Sequence, residues 1–138
     1  MIYRTSWIFV IFASSNTLSA ANINYPAVYE AGSRRVDGAL IRYVKTFENN
    51  CLEVQRLAAK SPWNVLDRMH LCDFEGKNFS DQHADAGFDE IYFEEDGLHL
   101  TLRFAPIEPT GVQKRKCMIA VKDGIMQPLE CTPVKHSI

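Results

Sequence analysis

The feature that most constrains this chain is its set of four cysteines. Their spacings contain no C-x-x-C pair, which argues against a zinc cluster and against a thioredoxin-like redox motif. An even number of cysteines in an oxidising compartment is typical of disulfide bonds. Four cysteines allow three pairings, so any fold that we predict must bring them together two by two. They are Cys51, Cys72, Cys117 and Cys131.

The first residues indicate that the chain is exported. Arg4 supplies a positive charge, the run from Trp7 to Ala13 (WIFVIFA) is apolar, and the segment from Ser14 to Ala21 is small and polar. This order is typical of a secretory signal peptide. The apolar run is too short for a helix that spans a bilayer. We therefore predict a signal peptide at 1–21, no stable membrane anchor, and a single domain at 22–138 that is periplasmic or secreted.

Apolar residues in the first half of the domain recur at helical spacing. Steps of three and four residues form one stripe, and residues 52–60 (LEVQRLAAK) are its strongest helical segment. Ser61-Pro62 is typical of the start of a second, short helix, because serine caps helices and proline is tolerated at their first position. The stripe comprises Val36, Leu40, Val44, Phe47, Cys51, Val54 and Leu57.

The second half of the domain alternates apolar and polar residues, as strands do. Asp96-Gly97 lies between two alternating runs and is a strong hairpin signal. With these two residues at the centre of the turn, Phe93 faces Leu100 on an apolar side. Glu94 and His99 face each other on the opposite side. Cross-strand pairs each contribute roughly 0.2–1 kcal/mol, so strand pairing explains Glu94 and His99 without catalysis.

A second hairpin is predicted around Gly124 and bears on the disulfides. With Gly124 at the centre of a three-residue loop, Cys117 lies opposite Cys131. We therefore prefer a disulfide between these two cysteines. A two-residue turn at Asp123-Gly124 would shift the register by one residue and place Lys116 opposite Cys131 instead.

Together these patterns predict an α+β fold. N-terminal helices would pack on a small antiparallel sheet of two consecutive β-hairpins, because helical patterns come first and strand patterns follow. Two disulfides would stabilise the domain, and the predicted pairs are Cys51–Cys72 and Cys117–Cys131.

Motifs for catalysis or metal binding are weak in this sequence. Asp81, His83 and Asp85 form D-x-H-x-D, and in an extended segment all three side chains would point the same way. A metal site also needs supporting residues, which a short polar loop does not supply. No serine-nucleophile motif or phosphate-binding loop is present. We therefore predict no catalytic residue, no metal, no cofactor and no enzymatic activity; an enzyme using His83 or His99 is the least favoured alternative.

Charge and exposure favour a protein partner. The chain has 15 basic and 17 acidic residues, a formal net charge of −2, which argues against nucleic acid as a ligand. Long loops in small domains are often functional, and residues 73–87 form such a loop in the predicted fold. An acidic hairpin tip could enter a cationic cleft. The predicted partner-binding residues are Tyr92, Glu94, Glu95, Asp96, His99, Asp81 and Asp85.

The layout resembles small periplasmic immunity proteins of bacterial toxin systems and periplasmic lysozyme inhibitors. The shared features are a short signal peptide, paired cysteines, a small exported domain and no catalytic motif. The resemblance is one of architecture, and it implies an enzyme inhibitor whose protein partner is a cell-wall hydrolase or a secreted toxin. The alternative is an envelope assembly or structural subunit that pairs through a sheet edge, including as a homodimer. Pro128 cannot donate a ladder hydrogen bond, so its strand is predicted to be an edge or to carry a bulge.

Overall fold

The computed structural model describes residues 23–107 and 111–133, so the predicted signal peptide lies outside the described residues. A 3₁₀ turn at Tyr25–Ala27 precedes eleven strands. The strands are β1 (Val28–Val36), β2 (Ala39–Thr46), β3 (Leu52–Leu57), β4 (Val65–Leu71), β5 (Asp73–Phe74), β6 (Lys77–Asn78), β7 (His83–Glu94), β8 (Gly97–Pro106), β9 (Gln113–Lys122), β10 (Ile125–Met126) and β11 (Glu130–Cys131).

The strands form two antiparallel sheets and one small hairpin. The first sheet has the order β1-β2-β3-β4, and the second has the order β10-β9-β8-β7, with β11 also paired to β9. Strands β5 and β6 pair only with each other and connect the two sheets along the chain. Within the described ranges, neighbouring strands from β1 to β4 and from β7 to β10 follow one another in the sequence, whereas β11 pairs with β9.

The predicted α+β fold is wrong, because the region expected to be helical, from residue 36 to about residue 72, contains strands β2 to β4. The helical stripe mixed residues from different strands and from both faces of the first sheet. Phe47, a member of the stripe, is 78% exposed, whereas Ile41, which was not a member, is 1% exposed. The segment predicted as the surest helix contains β3, where Leu52 and Val54 alternate inward. Ser61-Pro62 lies in the connection to β4 and caps no helix.

A missed turn explains this error. Asp37 and Gly38 have φ values of 46° and 77°, so both central residues of the β1–β2 turn are left-handed. This is the geometry of a type I′ hairpin turn, which Asp-Gly favours because its twist matches that of the strands. The Asp-Gly pair interrupts the helical stripe immediately after Val36, and β1 therefore folds back onto β2.

The hairpin of β7 and β8 is present, but its predicted register is wrong. Phe93 pairs with Leu98, Tyr92 with His99 and Glu94 with Gly97, so the turn is Glu95-Asp96 and not Asp96-Gly97. From Tyr92 to Glu94 the displacement is two residues, which leaves these side chains on their predicted faces. A bulge between Asp89 and Tyr92 shifts the pairing by one further residue, so the alternation predicted for the earlier part of β7 does not hold. His99 is therefore opposite Tyr92 and not opposite Glu94.

Both predicted disulfides are present. Cys51–Cys72 joins the residue before β3 to the residue after β4, and Cys117–Cys131 joins β9 to β11. The turn at Asp123-Gly124 has two residues and not the three that we preferred, and Met126 therefore pairs with Val121. An irregularity around Pro128 then restores the register in which Cys131 lies opposite Cys117.

One hydrophobic core lies between the two sheets. Buried side chains from β2 and β3, such as Ile41 and Val54, share a cluster with Phe88, Leu102 and Ile119 from β7, β8 and β9. No helix within 23–107 or 111–133 combines the length and apolar character needed to cross a membrane.

Candidate functional site

The turn between β7 and β8 presents three consecutive carboxylates, Glu94, Glu95 and Asp96, which we call the acidic tip. The backbone of the tip is held against β9, because the amide of Val121 donates a hydrogen bond to the carbonyl oxygen of Asp96 over 3.0 Å. Gly97 also lies close to the backbone of β9. A Cβ atom at position 97 would lie 2.2 Å from the carbonyl oxygen of Ile119. Glycine is therefore required here for close backbone approach.

His99 fixes one side of the acidic tip. Its Nε2 atom lies 2.7 Å from Oδ1 of Asp96, three residues earlier in the chain. The imidazole ring stacks on the ring of Tyr92, with ring centroids 5.3 Å apart and an angle of 17° between the planes. Tyr92 keeps about half of its surface exposed. Tyr92, His99 and Asp96 thus form an ordered rim that a partner could contact with little loss of side-chain entropy.

A shallow concavity of about 550 Å³ lies beside the tip. Five of the seven predicted partner-binding residues line it, together with one residue that the sequence did not indicate. Arg34 is that residue; it extends from β1, and its Nη1 atom donates to the carbonyl oxygen of Phe93 over 3.2 Å. The lining residues are Arg34, Tyr92, Glu94, Glu95, Asp96 and His99. Three carboxylates against one guanidinium make the surface acidic.

The contact with His99 has an electrostatic consequence. The hydrogen bond from the imidazole lowers the pKa of the Asp96 carboxyl below its ordinary value of 3.8, and partial desolvation opposes this shift. A hydrogen bond to the charged form of a carboxyl favours ionisation. Asp96 therefore stays negatively charged at and well below neutral pH.

The concavity continues along the outer face of the second sheet. His99 also lines a neighbouring depression of about 340 Å³, together with Lys116, Met118 and Thr132. Lys116 and Thr132 in turn line a third depression of about 300 Å³. No sequence pattern predicts this continuity, since it depends on how β8, β9 and β11 lie side by side.

The other two predicted contact residues, Asp81 and Asp85, lie elsewhere. Asp85 pairs with Arg103 across β7 and β8, and Arg103 also bonds Asp89 over 2.9 Å; these bonds raise the pKa of Arg103, with the Asp89 bond the larger cause. Glu94 is nine positions after Asp85 on β7, roughly 30 Å along an extended strand. Asp85 therefore has a local partner and does not contribute to the acidic tip.

His83 is buried and does not form a metal site with its neighbours. It is 7% exposed, its Nδ1 atom lies 3.0 Å from the carbonyl oxygen of Asn78, and its ring packs edge-on against Phe79 and Phe104. The register of β7 shifts between His83 and Asp85. Asp81 lies in a turn, where its backbone amide donates to Asn78. The three residues of the D-x-H-x-D motif thus do not converge.

A second carboxylate–histidine pair occurs on the outer face of the first sheet, and we call it the Glu53 cluster. Glu53 and His70 are opposed on β3 and β4, and His70 Nδ1 lies 3.4 Å from a carboxylate oxygen of Glu53. The same carboxylate forms an ion pair with Arg68 and accepts from Gln55 over 3.4 Å. His70 Nε2 lies 3.1 Å from Sγ of Cys72. Sequence reasoning missed this cluster because it assigned helices here.

The Glu53 cluster adjoins a concavity of about 100 Å³, which Cys51, Glu53 and His70 help to line. An acid–histidine pair beside a cavity could serve as a general base. A thiol nucleophile is not available in this form of the protein, because all four cysteines are in disulfides. A covalent mechanism through a cysteine is therefore not available while both disulfides are formed.

Comparison of the chain with known proteins found no matching family model, no matching curated protein and no matching solved structure.

Proposed function

We propose that the protein is a periplasmic inhibitor that binds an enzyme through the acidic tip, and that the enzyme is a cell-wall hydrolase or a secreted toxin that degrades the cell wall. The observation that carries the proposal is the convergence of five predicted residues around one exposed, acidic concavity. The two disulfides are consistent with an exported protein in an oxidising compartment.

Rigidity supports this proposal. The tip is attached to β9 through the Val121 amide, and Asp96 is bonded to His99. A binding surface that is ordered before it meets its partner loses less conformational entropy on association. Glu94 and Glu95, in contrast, are exposed side chains next to the fixed Asp96, so they are free to form ion pairs with a partner.

The negative charge of the acidic tip favours a partner with a cationic cleft. Three carboxylates at a protruding turn attract a cleft lined by lysine and arginine, and such attraction accelerates association at low ionic strength. Enzymes that act on the anionic bacterial cell wall are suitable partners when their substrate clefts are cationic. The tip would then occupy the cleft and exclude the substrate.

The direct test is to replace the acidic tip and measure binding and inhibition. Glu94→Ala, Glu95→Ala and Asp96→Ala together should weaken binding to a cationic cell-wall hydrolase by about 30-fold or more, the size expected for one interface hot spot. Binding would be measured by surface plasmon resonance against a panel of purified hydrolases, and inhibition by lysis of cell-wall suspensions. The association rate should fall as salt is raised.

A control variant with the same change in net charge distinguishes a specific role of the tip from a general effect of charge on binding. Glu48, Asp67 and Asp73 are exposed acids away from the tip, and their replacement by glutamine or asparagine also removes three charges. This control should keep full inhibition. Equal loss of affinity in both triple variants would exclude a specific role of the tip, and wild-type protein that binds no hydrolase of the panel would exclude this class of partner.

A second candidate function is assembly through a sheet edge. Strand β4 pairs only with β3 among the described strands, and Val65 and Leu66 on it are 43% and 54% exposed. This edge is longer than the Pro128 region, where the pairing is interrupted between β10 and β11. The mass in solution, measured by light scattering over a wide concentration range, tests it. A strictly monomeric protein would exclude self-assembly through β4.

A further inference from the structure

The cysteine and histidine side chains at the end of β4 form a group with the composition of a metal site. One ligand atom from each of Cys51, Cys72 and His70 can be chosen so that all three lie within 4.8 Å of one another. Within the described ranges this is the one group of three or more metal-binding side chains with such spacing. Two sulfurs and one imidazole nitrogen are the donors that thiophilic ions such as Zn²⁺ prefer.

Glu53 orients the histidine of this group. With the proton of His70 on Nδ1, that atom faces the Glu53 carboxylate at 3.4 Å, and Nε2 directs its lone pair to the sulfur of Cys72 at 3.1 Å. Metal-binding histidines usually donate their second ring N–H to a carboxylate in this way. Arg68 and Gln55 hold the same carboxylate in place.

We propose that Cys51, Cys72 and His70 form a binding site for one thiophilic divalent cation when the disulfide between the two cysteines is reduced. A dithiol supplies the two electrons: it becomes a disulfide, and its two protons convert the Cys51–Cys72 bond into two thiols. Binding of the cation then releases both thiol protons, because thiolate is the ligand form of cysteine. The two thiolates and His70 Nε2 occupy three positions.

The concavity of about 100 Å³ that Cys51, Glu53 and His70 line adjoins this group, and it would give water or a small ligand access to a fourth position. Three protein ligands with one open position are characteristic of zinc sites that accept water or a small exogenous ligand. The second disulfide offers no such site, since Cys117 is 4% exposed and neither of its cysteines belongs to a comparable group among residues 23–107 and 111–133. Reduction of the Cys51–Cys72 disulfide thus produces a metal site, whereas reduction of the Cys117–Cys131 disulfide does not.

The test uses Co²⁺ as a spectroscopic probe and Zn²⁺ as the competing ion. The full exported domain, reduced with a phosphine under anaerobic conditions, should bind one Co²⁺ with the visible and near-ultraviolet bands of tetrahedral thiolate coordination, and one Zn²⁺ should displace it. The oxidised domain should show no such bands. Glu53→Gln should weaken binding by about 10- to 100-fold, as expected for loss of the carboxylate that supports a ligand, and His70→Ala should weaken it more.

His99→Ala is the matched control, because it removes a histidine outside this group and should bind the metal like the wild type. Circular dichroism reports whether reduction unfolds the domain; if it does, one equivalent of Zn²⁺ should restore the β signal in the wild type and not in His70→Ala. Absence of tetrahedral Co²⁺ bands in the reduced wild type would overturn the proposal. Equal affinity of the wild type and His70→Ala would also overturn it, since two thiols of an unfolded chain would then suffice.

Discussion

The protein contains two carboxylate–histidine pairs that share their chemistry and differ in their surroundings. At the acidic tip, the Asp96 side chain is 61% exposed and its partner His99 is 26% exposed. In the Glu53 cluster, the Glu53 side chain is only 12% exposed and its partner His70 is 56% exposed. The carboxylate is therefore the more exposed side chain of the first pair and the more buried side chain of the second. An exposed carboxylate suits contact with a partner, whereas a covered one suits the orientation of its histidine.

Local structure produces this difference. Asp96 and His99 are three residues apart around one turn, so their contact depends on the conformation of that turn. Glu53 and His70 are cross-strand neighbours on β3 and β4, and the sheet itself brings them together. We therefore expect changes at the turn to disrupt the first pair and to leave the second intact.

The largest effect is expected from Gly97→Ala. The added Cβ would meet the carbonyl oxygen of Ile119 at 2.2 Å, and the φ of Gly97 is 153°, a value that side chains disfavour. Because the opposing atom belongs to the backbone of β9, relief requires a shift of the tip, and we expect a loss of about 3 kcal/mol of unfolding free energy. Urea denaturation measures this loss.

Gly124→Ala provides the comparison for this variant. Gly124 has a φ of 74°, but a Cβ there would find its nearest neighbour at 3.8 Å. Only the backbone cost of about 1–2 kcal/mol should remain. If both variants lost the same stability, close approach of the tip to β9 would not be the reason for glycine at position 97.

An intermediate effect is expected when each pair loses its carboxylate charge. Glu53→Gln removes the ion pair with Arg68 and weakens the support of His70, and we expect a loss of about 1–2 kcal/mol, because the group is partly buried. Asp96→Asn should cost less than Glu53→Gln, since its side chain is exposed and solvent screens its contact with His99. The two midpoints of urea denaturation, measured at neutral pH, give the comparison. A larger loss for Asp96→Asn than for Glu53→Gln would contradict the roles that we assign, namely contact with a partner for Asp96 and structural support for Glu53.

Part of this architecture could be predicted from the sequence. The alternation of apolar and polar residues around Phe93 and Leu100 predicts β7 and β8. The predicted hairpin places Cys117 opposite Cys131 and so predicts their disulfide. The acidic tip was also predicted, because strand faces survive a register error of two residues. The glycine of Asp96-Gly97 was misinterpreted: it is required by close packing against β9, and the turn lies one residue earlier.

The first sheet was predicted wrongly, because its apolar residues fit two periods at once. Val36, Leu40 and Val44 fit a helix, while Ala39, Ile41 and Tyr43 fit a strand. Only the Asp37-Gly38 turn distinguishes the two patterns, since Asp-Gly is frequent in type I′ turns and unfavourable within a helix. The Glu53 cluster depends on the register of β3 and β4, which no local motif specifies.

The smallest effect concerns the protonation of the acidic tip. The hydrogen bond from His99 lowers the pKa of Asp96 below 3.8, so the folded state binds this proton less well than the unfolded state. The stabilisation is therefore fully present above about pH 4, near the unfolded pKa, and is lost as the pH falls through the lowered pKa of the folded protein. NMR titration of the Asp96 carboxyl carbon measures this pKa directly. His99→Phe, which keeps a ring against Tyr92 and removes the imidazole nitrogen, should return the pKa towards 3.8, whereas Tyr92→Leu should leave it lowered. An Asp96 pKa that is unchanged by His99→Phe would show that His99 does not fix the acidic tip, and the ordered rim that we assign to the binding surface would then lack its main contact.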